Sequence, residues 1–324
     1  MASSDKAVVE EVPLGTTAKP SFWTRVKAHY KKWWWAHLIG LIVVVLVVVL
    51  PVVYVGYPNI AQGDINDSTL DVESMEISDP APDGFHLHQR QVIGSDSMFH
   101  PKIFEFDAEV SLLGGPVFAT ADVPEVKADD GAVVIVDQWL NLTDAGAFGD
   151  FATAVMLNEE FEMNIYGEPR LKQGSLPTIH VDYNKTVTMK GLNKLDGFKI
   201  VSLTPVDDRT DGNTAEGTVY IPNPSVLQLD MGNLTLDVSL QNGTVLGQSF
   251  LNDLVLKPGN NTVPMLANMD MQAFFAMVLA GEREIPLRIT GNSSVYNGQE
   301  IPYFTQALAA NVLNTTLNLT EVLA

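Results

Sequence analysis

Two histidines are the first candidates for chemistry, because His86 and His88 stand two residues apart with Asp96 and His100 nearby. Alternate side chains of a β-strand project from one face, and imidazoles are frequent zinc ligands. No third ligand follows at a defined spacing. The favoured interpretation is therefore exposed histidines without a metal, and no cofactor is expected.

Four glutamates are the second candidates, since Glu159, Glu160, Glu282 and Glu284 offer paired carboxylates of the kind that hydrolyse glycosidic bonds. They fall at polar positions of two similar alternating segments, so a solvated strand face is the favoured explanation. The sequence contains no Gly-x-Ser-x-Gly elbow, phosphate loop or dinucleotide fingerprint, and it has no cysteine. The protein is therefore predicted not to be an enzyme. The alternative, a lumenal hydrolase, would need carboxylates that converge in a cleft.

The acidic segment 207–213 resembles a calcium-binding loop in composition only. An EF-hand needs an oxygen ligand where Arg209 stands and a glutamate where Thr218 stands. The segment is instead predicted to be a polar, turn-rich boundary between two domains.

Nine Asn-x-Ser/Thr sequons are candidate N-glycosylation sites, which imply exposure to the secretory lumen or the cell exterior. Polar turns also favour asparagine and threonine, so part of this density has a purely structural explanation. The sequons begin at Asn66, Asn141, Asn184, Asn233, Asn242, Asn260, Asn292, Asn314 and Asn318.

An apolar stretch from Leu38 to Tyr57 holds 20 residues without a charge, which matches the length of a helix that crosses a bilayer. Basic residues precede it and acidic residues follow it, so the positive-inside rule places residues 1–37 in the cytosol. The expected interface anchors are Lys31, Lys32, Trp33, Trp34 and Trp35. Pro51 predicts a kink, or the end of the helix, in the second half of the span.

A cleaved signal peptide is the alternative interpretation of this segment. The apolar run exceeds the roughly 7–15 residues of a signal core, which favours a permanent anchor. A span of 20 residues suits thin internal membranes better than the thicker plasma membrane. The predicted location is the vacuole or another endomembrane with the C-terminal region in the lumen, and the plasma membrane is the alternative.

The formal net charge of the chain is −20. The first 37 residues hold six basic and three acidic side chains, so the remainder carries −23. This acidic region excludes nucleic acid, whose phosphates need lysine and arginine. The expected partners are the membrane, through the single span, and a protein, glycan or lipid in the lumen.

Alternating apolar and polar residues predict many short strands after the span, with Phe161, Met163 and Ile165 on one inner face. Turns rich in glycine, proline and asparagine separate these strands, as is typical of an antiparallel sandwich. Two segments have helical spacing instead. They are Ala145–Leu157 and Met269–Ala280, the second with Asn268 as its expected N-cap and Gly281 as its stop.

These features recur in one order, which indicates an internal repeat of about 120 residues. A long amphipathic strand opens each copy, at Ile103–Val110 and at Leu234–Leu240, and Ile165 corresponds to Ile289. The prediction is a mainly β protein. It comprises a disordered, basic tail (1–37), a transmembrane helix (38–57), a first β-sandwich module (58–206) and a second (207–324), each module with a short helix.

The segment Ile221–Pro264 resembles a fungal single-span membrane protein family known only as a domain of unknown function. Its Asn223-Pro224-Ser225 step, its Gly-Asn-x-Thr-Leu strand and its Pro-Gly-Asn-Asn turn are also similar to late-embryogenesis-abundant type-2 domains. The resemblance implies immunoglobulin-like sandwiches of seven strands, a vacuolar membrane location linked to autophagy control, and no catalytic residues.

Two functions follow as expectations. The first is a binding or scaffold protein, which would show an exposed apolar patch or an unpaired sheet edge. The second is lipid or apolar-ligand handling, which would require a pocket of several hundred Å³. The candidate lining residues of that pocket are Phe148, Phe151, Phe274 and Phe275.

Overall fold

The computed structural model describes residues 21–206 and 210–318, and 51% of these described residues are in strands. The chain divides into two compact units between Tyr57 and Pro58. Residues 1–20 of the expected cytosolic tail, residues 207–209 of the expected boundary and the end of the Asn318 sequon lie outside the described residues.

The first unit is helical from Phe22. Helix α1 spans Phe22–Val44, and π-helical turns follow at Val45–Val49 and Val52–Gly56. Pro51 lies between these turns, where wider hydrogen bonding accommodates a residue that lacks an N–H, so the helix does not end at the proline. Within the described residues, one helix, Phe22–Asp67, is long and apolar enough to cross a membrane.

Helix α2 spans Tyr57–Asp67, and the second unit contains this helix from Pro58 onward and, after it, two halves with the same strand order. The first half comprises β1 Thr69–Ala81, β2 Gly84–Gly94, β3 Lys102–Ile103, β4 Phe106–Leu112, β5 Val117–Val123, β6 Val126–Lys127, β7 Ala132–Asn141, α3 Ala145–Leu157, β8 Glu160–Gly167, β9 Arg170–Lys172, β10 Ile179–His180 and β11 Tyr183–Lys190. One layer contains β1, β2 and β7, and the other has the order β11–β8–β4–β5. The four shortest strands of this half form a small separate sheet, β10–β9–β3–β6.

The predicted strand Ile103–Val110 is interrupted. Ile103 pairs with the small sheet, whereas β4 starts at Phe106 and pairs with β5. The ring of Phe104 lies 5.0 Å from Lys102 Nζ and 5.1 Å from the Arg170 guanidinium. These cation–π contacts hold the ring beside two charged side chains where the strand pairing is interrupted.

The second half comprises β12 Lys199–Pro205, β13 Ala215–Asn223, β14 Leu227–Leu240, β15 Val245–Leu256, β16 Gly259–Met269, α4 Met271–Leu279, β17 Glu284–Tyr296, β18 Gln299–Glu300, α5 Pro302–Ala310 and β19 Val312–Asn318. Here β12–β13–β16 corresponds to β1–β2–β7, and β19–β17–β14–β15 corresponds to β11–β8–β4–β5. The register repeats too, since Val110 faces Ile165 in the first half and Val238 faces Ile289 in the second. The predicted mainly β fold, with sandwich-like sheets and short helices, is confirmed, and the second half contains two helices, α4 and α5.

The halves divide earlier than residue 207, because Lys199–Pro205 pairs with β13 of the second half. The segment predicted as a boundary therefore connects β12 to β13. The halves are also joined: β1 pairs in parallel with β14, Met75 facing Leu227, and one hydrophobic core contains buried residues of both.

The Asn-Pro-Ser step is a buried corner between β13 and β14. Asn223 Nδ2 donates to the carbonyl of Leu227 at 2.7 Å, and Asn223 Oδ1 accepts from the backbone and the hydroxyl of Ser225. Asn261, in the Pro-Gly-Asn-Asn turn, bonds both backbone groups of Lys257. These motif side chains satisfy buried backbone groups, so their role is structural.

Candidate interaction surface on helix α4

Helix α4 begins after Asp270, whose Oδ1 accepts hydrogen bonds from the N–H groups of Gln272 and Ala273, each at 3.0 Å. The predicted N-cap, Asn268, is wrong, because this residue pairs with Gln248 in the sheet. Gly281 ends the helix as expected, with a φ of +81° that favours glycine.

The helix is apolar on its outer face as well as its inner face. Phe274 is buried at 2% exposure, whereas Phe275 is 48% exposed and Leu279 is 87% exposed. Positions 272, 275, 276, 279 and 280 form one exposed stripe at helical spacing, and only Gln272 among them is polar. A helix that is hydrophobic all round normally lies buried, so this stripe lacks the cover that its composition requires.

Helix α3 occupies the equivalent position in the first half, and it is covered. Helix α5 packs against it, with the rings of Phe148 and Tyr303 4.9 Å apart. Gln306 Nε2 also donates to Asp150 Oδ1 at 2.9 Å. The Gln306 amide lies against Gly149, where an added Cβ atom would force this side chain to shift. In the described part of the chain, no helix covers α4 in this way.

Acidic side chains border both ends of the α4 stripe. Asp270 precedes the helix, and Glu282 and Glu284 follow it, with Arg283 between them. All four residues are exposed. The surface is thus an apolar strip with mainly negative ends.

The histidine pair lies on the outer face of the first half. His86 Nε2 is 3.2 Å from Asp137 Oδ1 and His88 Nδ1 is 3.3 Å from Asp137 Oδ2, which places one carboxylate between the two rings. His100 lies beside Asp129 instead. Across the described residues, no group of three histidine or acidic side chains is arranged to hold a metal.

The four candidate glutamates, Glu159, Glu160, Glu282 and Glu284, are exposed, as their place on the polar side of the strands predicts. Glu160 and Glu284 are the first residues of the equivalent strands β8 and β17, and Glu159 and Glu282 precede these strands.

The aromatic residues proposed to line an apolar pocket have different environments. Phe148, Phe151 and Phe274 are buried core residues, and Phe275 lies at the surface. A cavity inside the first sandwich is lined by Phe148 and by the buried Gln89, and its volume is ≈ 60 Å³. That volume is far below the predicted several hundred Å³.

The sequon asparagines lie at the surface. Eight of the nine are exposed, and Asn318 is half-buried. The expected membrane-interface residues, Lys31, Lys32, Trp33, Trp34 and Trp35, are exposed on α1, and both ends of the predicted span, Leu38 and Tyr57, lie in helical segments.

The sequence did not lead us to predict one surface feature, the exposed apolar side chains on β7. Val133, Ile135 and Trp139 are 41%, 51% and 44% exposed on the outer face of β7, the last strand of the large sheet. The signal was the run Ala132–Val136, which is apolar at every position and therefore cannot bury both of its faces in a two-layer sandwich.

Comparisons with solved structures give weak similarities. A DUF4785 family protein from Legionella pneumophila is 9% identical, with 78% of this chain and 57% of that chain covered and a TM-score of 0.25. The exo-chitosanase CsxA of Amycolatopsis orientalis is 12% identical, with 76% and 26% covered and a TM-score of 0.21. An adhesin from Mobiluncus mulieris is 10% identical, with 70% and 79% covered and a TM-score of 0.18. Similarity at this level supports no conclusion about function.

This chain thus spans less than two thirds of the first two structures. No curated protein matches the sequence. Residues 117–238 match the family model described as a protein of unknown function, DUF3712, so the chain carries a DUF3712 domain that extends from β5 of the first sandwich into β14 of the second.

Proposed function

We propose that this is a non-enzymatic, single-pass membrane protein that binds a partner protein through the outer face of α4. The observation that carries the proposal is the exposed apolar stripe around Phe275 and Leu279, on a helix whose counterpart α3 is covered by another helix. Contiguous exposed apolar surface commonly marks an interaction site.

The partner is inferred to be a helix with one apolar face and basic residues at its ends. The contact between α3 and α5 supplies the precedent for a helix on this element, because Tyr303 of α5 packs on Phe148 of α3. Asp270, Glu282 and Glu284 border the stripe, so basic flanks on the partner would complement their charge. The same carboxylates disfavour an anionic membrane surface.

The proposal places both sandwiches in the lumen of the vacuole or another endomembrane, with the plasma membrane as the alternative. The positive flank before the span, the nine sequons and the surface position of eight of their asparagines support this placement. The resemblance to fungal vacuolar proteins and to late-embryogenesis-abundant type-2 domains points the same way. Glycosidase digestion combined with protease protection on intact vesicles tests it: a lumenal glycoprotein loses mass on deglycosylation and is cut only in its N-terminal tail.

The partner is tested by a photocrosslinking amino acid at Ala276, the centre of the stripe, in the full-length protein in its native membrane. The matched control carries the crosslinker at Thr188, an exposed position on β11. The expected result is one protein adduct of defined size from position 276 only. Leu279→Glu should abolish the adduct, and Leu279→Met should retain it because the apolar face persists.

Sequencing of the crosslinked peptide gives the second criterion. A helix with an apolar face and basic flanks supports the proposal. Adducts with lipid alone would favour the alternative function, lipid or apolar-ligand binding near the membrane. A protein adduct that Leu279→Glu leaves unchanged would refute binding through α4.

A further inference from the structure

Trp139 and Asn141 lie two residues apart on the outer face of β7, and both are exposed. Trp139 Nε1 donates a hydrogen bond of 3.0 Å to Asn141 Oδ1. This bond fixes the orientation of the planar carboxamide, and Asn141 Nδ2, the atom that carries the sugar in an N-glycan, has no hydrogen-bond partner among the described residues. The reactive nitrogen is therefore presented to solvent beside an exposed indole.

The rest of the sequon is accessible and ordered. Thr143 is exposed, and its backbone N–H donates to the Phe118 carbonyl at 2.8 Å, which ties the chain to β5. Asn141 is also the one sequon asparagine of the nine that has an aromatic residue two positions earlier. At Asn242, for comparison, that position is Leu240.

The chemistry of the sugar matches this surface. The ring of N-acetylglucosamine has one face of C–H groups, and such a face gains dispersion contacts on a flat indole whose π-face is electron-rich. Trp139, at 44% exposure, has indole surface available for that contact.

We propose that Asn141 carries an N-glycan whose first N-acetylglucosamine packs on Trp139, so that sugar covers this part of the first sandwich. In the glycosylation step, Nδ2 bonds to C1 of the sugar, the amide loses a proton, and the C1–O bond to the lipid pyrophosphate of the donor breaks. The inference rests on the lumenal placement proposed above. It leaves the exposed stripe of α4 free for the partner proposed above.

The test separates the glycan from the Trp139–Asn141 hydrogen bond. Thr143→Ala removes the sequon but keeps both bonded residues, and Thr143→Ser keeps the sequon as its matched control. Both substitutions are made in the full-length protein, once with the native Trp139 and once with Trp139→Thr. All four variants are expressed in a eukaryotic secretory host. In the Trp139 background, Thr143→Ala should lower the Tm by about 2–4 °C relative to Thr143→Ser. In the Trp139→Thr background the difference should vanish.

Glycopeptide mass spectrometry reads out each sequon separately. Occupancy at Asn141, together with a Tm difference that depends on Trp139, supports the proposal. Glycans at other sequons but not at Asn141 would overturn the proposal, while the lumenal placement would remain supported. If every sequon is empty, the lumenal placement itself fails. An equal effect of Thr143→Ala with and without Trp139 would show that the glycan does not use the indole.

Discussion

Gln62 and Asp182 exchange two hydrogen bonds. Gln62 Nε2 donates to the Asp182 carbonyl at 2.7 Å, and the Asp182 N–H donates to Gln62 Oε1 at 2.8 Å. The side-chain amide of Gln62 on α2 thus forms the two hydrogen bonds that a neighbouring strand would otherwise form with the backbone of Asp182, just before β11. Helix α2 is thereby joined to the first sandwich through contacts that do not depend on apolar packing alone.

Gln62→Met should release this connection, because methionine has a similar length but neither donor nor acceptor. The expected result is a loss of about 1–2 kcal/mol of stability and faster amide hydrogen exchange in residues 58–67. Hydrogen-exchange mass spectrometry measures the second effect. Gln272→Met, at an exposed position on α4, is the control and should leave the exchange of α2 unchanged. Unchanged exchange in Gln62→Met would mean that the amide pair does not hold the helix.

Lys185 makes the second connection between β11 and α2. Its Nζ donates to the carbonyls of Ile65, Asn66 and Ser68, the Asn66 bond being 3.1 Å, so it satisfies acceptors at the end of the helix. The residue is 6% exposed, and burial lowers the pKa of its ammonium group. The hydrogen bonds therefore offset a desolvation cost.

Lys185→Met should destabilise the protein by about 1–3 kcal/mol, because the part-buried carbonyls of Asn66 and Ser68 lose this donor. The Ile65 carbonyl keeps the Ser68 hydroxyl as a donor at 2.8 Å. Chemical denaturation measures the loss. Lys190→Met, an exposed lysine on the same strand, is the matched control and should change stability by less than about 0.5 kcal/mol. Equal effects of the two substitutions would contradict a role of Lys185 in capping α2.

Local patterns were sufficient to predict α3 and the alternating strands. The spacing of Phe148, Phe151 and Val155 predicted a helix over Ala145–Leu157, and the helix has those bounds. Ile285, Leu287 and Ile289 alternate with polar residues, and all three are buried. In both cases the periodicity is set by which side of one element faces the core, so neighbouring residues contain the information.

The pairing of strands far apart in sequence, and the packing of one helix over another, were not predictable in this way. The parallel pairing of Met75 with Leu227 joins residues far apart in sequence, and no local periodicity encodes that partner. Phe148 and Phe275 are the same residue type on equivalent helices, yet one is buried and the other is 48% exposed. Phe148 packs on Phe85 and Phe118 of the first sandwich as well as on α5, whereas Phe275 lies on the outer face of α4, which no helix of the described residues covers. These contacts belong to the tertiary fold and cannot be read from the residue type.

Gln89 is a polar residue in the core of the first sandwich. It is 5% exposed, lines the ≈ 60 Å³ cavity, and its amide nitrogen has no hydrogen-bond partner among the described residues. Gln89→Met should therefore stabilise the protein by about 1 kcal/mol, since it removes an unsatisfied polar group at similar volume. Thermal denaturation checks the sign.

Gln138→Met is the control, because the Gln138 amide bonds both backbone groups of Asp122, at 3.3 and 3.4 Å. That substitution should cause a small loss of stability. If Gln89→Met is also destabilising, the amide has a partner inside the cavity, and an ordered water or a small polar ligand becomes the explanation to test.

Asp230 gives a prediction about pH. Burial raises the pKa of this carboxyl group, and the nearby Asp79 and Asp253 act in the same direction, while the Gly232 N–H opposes them. The unfolded chain therefore loses this proton at lower pH than the folded protein. Below the unfolded pKa of about 3.9 the group costs no stability, and the cost develops as pH rises through the folded pKa.

Asp230→Asn should accordingly raise the Tm at pH 7 and give no advantage at pH 3, measured by thermal denaturation across that range. Asp71→Asn, at an exposed carboxylate on β1, is the matched control and should show no comparable pH-dependent gain. The carboxylate accepts a hydrogen bond from the Gly232 N–H at 3.3 Å, and the hydroxyl of Tyr296, which donates to Asp79 at 3.0 Å, also favours the charged form. Asparagine keeps one acceptor oxygen for these bonds. A lower Tm of Asp230→Asn at pH 7 would mean that these bonds to the charged form outweigh its desolvation, and the sign of the predicted pH dependence would reverse.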